Sequence, residues 1–352
     1  MSLSRIFPLR ETLEFIKHYL PTGLVSGPAL MAVMRMAKLL PDAASAFILE
    51  CRLAEDSDTV DLSVSIPGTK AGHDNLLAWI NPMVESPSLR LIREFCVQWA
   101  NENSALHDNV SVVWLEFDVP GEHHTSLPNP SIFFGIRPIP HVCSANTCAF
   151  DLRTTQLTIN RALNILVGDS LGLNTNRNLR RCLNSIPSEG RVAEIGVMLS
   201  RPSNAIRLCA KMPKWAVSRY LTRVKWPGSI CRVTDALSRI GHFANTVLVD
   251  LDIGCHVFPT IGIEFSFHSL PDRDPKLKLF LDALVADGLC TTTKGRDLWS
   301  WQGSSYEVYP NVLFPRILCR KLSHIKINCH SGHPDFAKAY LWFSPTVESF
   351  SA

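Results

Sequence analysis

Ten short segments of this chain read as strands, and they fall into five consecutive hairpins separated by helix-like stretches. The pairs are Ala46–Leu53 with Thr59–Ile66, Val110–Val119 with Ser131–Arg137, and Arg191–Leu199 with Ala205–Met212; then Asn245–Ile253 with Pro259–Phe267, and Ile317–His330 with Phe336–Phe343. Each alternates apolar and polar residues or is rich in β-branched and aromatic side chains, as half-buried strands are. Between them, Ser86–Ala100, Gln156–Leu171, Lys214–Val224, Arg232–Ala244 and Lys276–Asp287 repeat apolar residues at three- and four-residue spacing, the mark of helices with one buried face. Ser86 followed by Pro87 supplies a cap and the proline favoured at the first helical position. The order predicts an α+β chain: a ten-stranded antiparallel β-barrel of five ββ hairpins, surrounded by α-helices.

The hairpin-plus-helix unit recurs at intervals of roughly 55–80 residues, and no Gly/Ser-rich linker or long charge run divides the 352 residues. Residues 46–352 are therefore expected to form one domain. Residues 1–45, with amphipathic stretches at Glu11–Tyr19 and Ala29–Leu40, form a helical segment packing on it. A net charge of +3 with dispersed basic residues argues against a nucleic-acid partner. The eleven cysteines are odd in number, follow no secretory signal, and include strand positions among apolar neighbours (Cys51, Cys209, Cys329). They read as core residues of a protein in the reducing cytoplasm. No apolar run reaches the length of a membrane span.

Alternate side chains of a strand point to opposite faces. Trp114, Glu116 and Asp118 thus oppose Val113, Leu115 and Phe117; Thr246, Asp250 and Asp252 oppose Val247, Val249, Leu251 and Ile253. Thr260, Gly262, Glu264 and Ser266 oppose Ile261, Ile263, Phe265 and Phe267. His324, Lys326, Asn328 and His330 oppose Ile325, Ile327 and Cys329, and Lys338, Tyr340 and Trp342 oppose Ala337, Ala339, Leu341 and Phe343. The helices need an apolar face to bury, at about 25 cal/mol per Å², so the apolar faces look outward. The polar faces then line either a lumen or an open wet surface. Trp114, Tyr340 and Trp342 on that face favour a lumen, and closure removes the exposed edges of an open sheet.

Five α–β–β–α units closing a ten-stranded barrel resemble the ABBA-type (PT-barrel) prenyltransferases, which act on aromatic compounds and on ribosomal peptides. In residues, Ala337-Lys338-Ala339-Tyr340-Leu341 is similar to that family's Lys-x-Tyr strand. His324-Ile325-Lys326 and Arg207-Leu208-Cys209-Ala210-Lys211 resemble its other basic strands, and Val113–Asp118 falls where it places an early-strand acid. The resemblance implies prenyl transfer from a short allylic diphosphate to an aromatic or peptide acceptor in natural-product biosynthesis. Arg207, Lys211, Lys326 and Lys338 would hold diphosphate, and Trp114, Tyr340 and Trp342 would shield the allylic cation. Glu116 would accept the acceptor's proton. Such roles fit the residues: cations stabilise departing phosphoryl charge, and aromatic faces stabilise a carbocation. No cofactor is required; Mg2+ could accompany the diphosphate on Asp250 and Asp252.

The sequence departs from that family in carrying five tyrosines in all and many acids on the inward faces (Glu116, Asp118, Asp250, Asp252, Glu264). A second reading follows, from another class: a non-catalytic peptide- or ligand-binding barrel serving as an accessory protein, with a precursor peptide as its partner. Neither reading calls for nucleic acid or membrane. His324, His330, His333 and Cys329, or His141, Cys143 and Cys148, lack the paired spacing of a structural zinc site. Asp250 and Asp252 are expected to pair with Arg or Lys, and Trp299-Ser300-Trp301 to belong to a helix end or a loop packing on the barrel.

Overall fold

The computed structural model describes residues 9–40, 42–54, 59–83, 86–119, 127–137, 152–168, 171–201, 205–241, 243–267, 274–307 and 316–347. All five hairpins are present. They are β1 (Ala46–Arg52) with β2 (Val60–Pro67), β3 (Val110–Phe117) with β4 (Ser131–Ile136), β5 (Arg191–Val197) with β6 (Ile206–Pro213), and β7 (Thr246–Ile253) with β8 (Val257–Ser266). A short strand not anticipated, β9 (Gly303–Glu307), precedes the last pair, β10 (Arg316–His330) and β11 (His333–Val347).

Neighbouring strands pair antiparallel from β1 through β8, β8 pairs with β10, and β10 with β11. The pairing of β1 with β11, from Phe47 opposite Phe343 to Arg52 opposite Lys338, closes a ten-stranded ring. Closure leaves no free edge around the ring. β9 pairs with residues 316–320 of β10, beyond the point where β8 ends its pairing at His324. The last hairpin turns through Ser331 (φ 50°) and Gly332 (φ 98°), positive at both central positions as tight two-residue hairpins require.

Of the register shifts around the ring, two bear on the lumen. β10 shifts register between Leu322 and His324 against β11, and β5 shifts between Val192 and Glu194 against β6. Such bulges change which residues of a strand face inward.

The apolar faces do look outward. Val113, Leu115, Phe117, Val249, Leu251, Ile261, Ile325 and Leu341 are fully buried, in one contiguous core with the helices. α1 (Leu9–Ile16) and α2 (Gly27–Ala37) come first, and α3 (Lys70–Ile80), α4 (Pro87–Ala100) and α5 (Ala105–Asn109) link β2 to β3. α6 (Leu152–Leu166) and α7 (Leu173–Asn184) precede β5; α8 (Val217–Val224) and α9 (Ile230–Ile240) follow β6; α10 (Pro275–Ala286) and α11 (Thr292–Trp301) follow β8. The spacing explains the docking. α4 buries Leu89, Ile92, Phe95, Cys96 and Trp99, and Trp99 Nε1 donates to Val110 O at 3.1 Å where β3 begins. Phe280 of α10 lies 5.1 Å from Phe265 and 5.2 Å from Phe267, ring centre to ring centre, on the outer side of β8.

Ser86 occupies the cap position of α4 without capping it. Its hydroxyl instead donates to Asn129 Oδ1 at 2.7 Å, tying the helix start to the β3–β4 connection. Trp301 ends α11 as expected, fully buried, with Nε1 donating to Lys321 O at 3.1 Å. Among the described residues, no helix is long and apolar enough to cross a membrane.

Candidate active site

The polar faces of the ring strands enclose a cavity of about 200 Å³, and every one of the ten contributes to its wall. That is smaller than the ~300–1,000 Å³ of typical ligand pockets, because ion pairs reach into the barrel.

Pairing register brings these groups together. Directly opposed residues of antiparallel strands share a face. Glu264 opposes Lys326, which opposes Lys338; Arg207 opposes Asp252; Glu50 opposes Tyr340, which opposes His324. Each predicted diphosphate ligand of the inner barrel meets a carboxylate. Lys326 Nζ donates to Asp250 Oδ2 and lies 3.4 Å from Glu264 Oε1. Lys338 Nζ donates to Glu50 Oε1. Arg207 grips Asp252 through Nε and Nη2. Asp250 and Asp252 are thus engaged by a lysine and an arginine, and no group of three or more metal-ligating side chains forms among the described residues.

Lys211 shares this face, opposite Leu248, but sits beyond the cavity wall next to Arg191 of β5. Trp342, opposite Ile48 and Lys321, is likewise outside the wall. Trp114 and Tyr340 line it. Glu116 lines it too, accepting a long hydrogen bond of 3.4 Å from Arg201 Nη2. Cys329 is buried and His330 exposed, on opposite faces. His141, Cys143 and Cys148 lie outside the described residues, as does the 120–126 part of the β3–β4 connection.

The inward faces also hold residues that alternation in the first and third hairpins could have supplied: Glu50, paired with Lys338 outside the cavity wall, and Glu194 on the wall itself. Glu50 stands between Leu49 and Cys51 in an otherwise apolar strand, an acid that must have an inward partner. Glu194 is turned inward beside the β5 bulge, and among the described residues no ion pair or hydrogen bond to its carboxyl is present. Phe133, Met198 and Cys209 form an apolar patch inside the lumen, with Trp114 and Leu248 packed on it.

Burial and mutual repulsion set the charges. Burial pushes Glu50 up, but Lys338, with hydrogen bonds from Lys338 and Tyr340, outweighs it and holds the carboxyl at about 2. Burial and Glu264 raise Asp250 to about 6 despite Lys326 and Arg207. Burial, then Glu264 and Asp250, raise Glu194 to about 8. Burial and Glu50 raise Glu116. Burial opposes the charge on Lys326, but Asp250 outweighs it and the ammonium is held above its ordinary range. Burial and Lys326 push His324 down to about 3, so its ring is neutral, stacked 3.9 Å from Tyr340.

No protein-family model matches the chain, and no curated protein matches it. Solved structures do. A 6-dimethylallyl tryptophan synthase is 12% identical with a TM-score of 0.55, over 98% of this chain and 97% of that one. The 5-dimethylallyltryptophan synthase from Streptomyces coelicolor is 12% identical, TM-score 0.52, over 95% and 96%. The prenyltransferase PriB, in a ternary complex with L-tryptophan and dimethylallyl thiolodiphosphate, is 12% identical, TM-score 0.51, over 95% and 94%. The similarity runs the length of both chains. The fold is that of the ABBA-type prenyltransferase barrels.

Proposed function

We propose that the lumen transfers a prenyl group from a short allylic diphosphate to an aromatic acceptor. The full-length likeness to prenyltransferase barrels is the observation that carries this reading. The wall supports it by joining Arg207 and Lys326 to Trp114, Phe133 and Tyr340.

In this reading the allylic C–O bond breaks and the electron pair leaves with diphosphate. Arg207, Lys326 and Lys338 receive the phosphoryl oxygens, which must take them over from Asp252, Asp250 and Glu50. Lys211, towards one end of the barrel, helps draw the anion in. Tyr340 and Trp114 stabilise the allylic cation by their faces and exclude water, with Trp342 behind them. A ring carbon of the acceptor forms the new C–C bond. Glu116, its proton affinity raised by burial and by Glu50 and its carboxyl long-bonded to Arg201, takes the ring proton as the aromatic system is restored. Mg2+ would enter with the diphosphate rather than wait on Asp250 and Asp252. An aromatic side chain of a peptide would serve as acceptor by the same chemistry. The cytoplasm, where allylic diphosphates and reduced cysteines coexist, is the compartment that fits.

Titration calorimetry with dimethylallyl thiolodiphosphate, with and without Mg2+, tests this. Binding that Lys338→Met abolishes without lowering thermal stability below the assay temperature supports it. Absence of binding in both conditions overturns it. One observation favours a second reading, the non-catalytic ligand-binding barrel: Glu116, Glu194, Asp250 and Glu264 line the cavity against Arg207 and Lys326 with a neutral His324, a poor welcome for a trianion.

A further inference from the structure

The lumen's surplus of carboxyls has a geometric focus. Glu194 of β5 stands next to Cys209 of β6, which stands next to Asp250 of β7 in the same row of the ring. Glu264 joins from β8, Lys326 from β10 and Glu116 from β3, all on the cavity wall. Two charged bases line the wall with this group, and both are already taken: Lys326 is shared by Asp250 and Glu264, and Arg207 is held by Asp252. The side chain of Asp250 is only 3% exposed, yet among the described residues its second oxygen, Oδ1, is buried with no N–H donor, its carboxyl neighbour being the acid Glu264. Beside the acids lies the apolar patch of Phe133, Cys209, Trp114 and Leu248. A buried acceptor without a donor has lost its hydration and gained nothing in return, so an acidic corner with an orphaned oxygen is complete only when a donor occupies it.

We infer that the cavity binds an acceptor carrying a positively charged nitrogen, with Glu194 and Asp250 receiving its N–H groups while its aromatic ring lies on Trp114 and Phe133. This rests on the proposed acceptor site and narrows the acceptor to an aromatic amine or guanidine held as a cation. Glu194 is the specificity-determining residue. It faces an apolar wall on one side and acids on the other, so a neutral analogue fills the space and leaves the acids unanswered.

A proton balance accompanies this. Burial and the neighbouring acids keep the carboxyl of Glu194 protonated at neutral pH, its value raised to about 8. An arriving ammonium stabilises the carboxylate, and the proton leaves to buffer. Cation binding therefore strengthens as pH rises from 6 to 8, whereas the trianionic donor gains nothing from that rise.

The test compares tryptamine with its neutral counterpart 3-propylindole by calorimetry on the full chain at pH 7, in two buffers of different ionisation enthalpy. Tryptamine is expected to bind about tenfold more tightly, the discrimination of one charge-assisted hydrogen bond, and to release a proton. Glu194→Gln is expected to remove both the preference and the release while leaving 3-propylindole unchanged. Equal affinity for the two probes in the unaltered protein, no binding of tryptamine, or an unchanged preference in Glu194→Gln overturns the inference. Dimethylallyl thiolodiphosphate is titrated in parallel. Donor binding without tryptamine preference leaves prenyl transfer standing and removes the cation site. The reverse pattern keeps the cation site and removes the donor.

Discussion

Arg207 holds Asp252 with both arms of its guanidinium, Nε to Oδ1 at 2.7 Å and Nη2 to Oδ2 at 2.9 Å, across adjacent strands of the lumen. Two-pronged pairing of this kind is the strongest geometry an arginine has with a carboxylate, and also the one it offers phosphate. A diphosphate that uses Arg207 must replace Asp252. Asp252→Asn weakens the competitor without emptying its place. The variant is expected to bind dimethylallyl thiolodiphosphate about tenfold more tightly, read by calorimetry. Unchanged or weaker binding would take Arg207 out of the donor site.

Lys326 is placed differently, as the counter-ion of two buried acids. Lys326→Met keeps most of the length of the side chain and leaves Asp250 and Glu264 facing each other without the ammonium between them. Breaking a buried pair from one side costs about 3–5 kcal/mol, so the denaturant midpoint at pH 7.5 should fall sharply. The loss should shrink at pH 5.5, where Asp250, raised to about 6 by burial and Glu264, is protonated. A deficit equal at both pH values would mean that Lys326 matters for packing and not for charge.

The five hairpins were legible because alternation survives closure: Ile325, Ile327 and Cys329 face the helices and Lys326 faces the lumen, as their spacing says. What alternation cannot report is a bulge. The extra residue in β5 and in β10 changes phase within the strand, so that Ser323 and His324, consecutive in sequence, both reach the cavity wall. Strand β9 was missed because its residues, Gly303-Ser304-Ser305-Tyr306-Glu307, lack an apolar side to alternate. Lys326 and Lys338 were readable as inward-facing bases, but the carboxylates that occupy them come from strands distant in sequence. Glu50 reaches Lys338 across the seam where the barrel closes, and only topology brings those ends together.

Gly262 shows how closely the lumen is fitted. A Cβ there would overlap Lys326 Cε and stand 3.2 Å from Asp250 Oδ2. Lys326 lies across the bare backbone of β8 to reach Asp250, and a methyl group would lift it away. Overpacking a filled site costs about 1–3 kcal/mol. Gly262→Ala is therefore expected to lower the thermal midpoint and weaken donor-analogue binding together. A variant of unaltered stability and affinity would show that the lysine has another route to its partner.

The raised acids also set how folding responds to pH. A carboxyl raised in the folded chain binds its proton more tightly there than in the unfolded chain, so it adds stability at low pH and loses it as pH rises through the folded value. Glu194 loses its share between its ordinary value and about 8, and Asp250 between its ordinary value and about 6. Asp61, raised to about 7 by burial and then by Glu50, acts in the same direction. Glu50 works the other way: held at about 2 by Lys338 against its burial, it adds stability above its ordinary value that disappears as pH falls towards 2. Between these limits stability should peak on the acid side of neutrality. The thermal midpoint is expected to be higher at pH 5.5 than at pH 8.5, and Glu194→Gln, which removes a group raised further than Asp61 or Asp250, should reduce the difference. A midpoint that rises steadily from pH 5.5 to 8.5 would mean that the lumen solvates its acids, and that Glu194 stands ionised in water rather than protonated against Asp250 and Glu264.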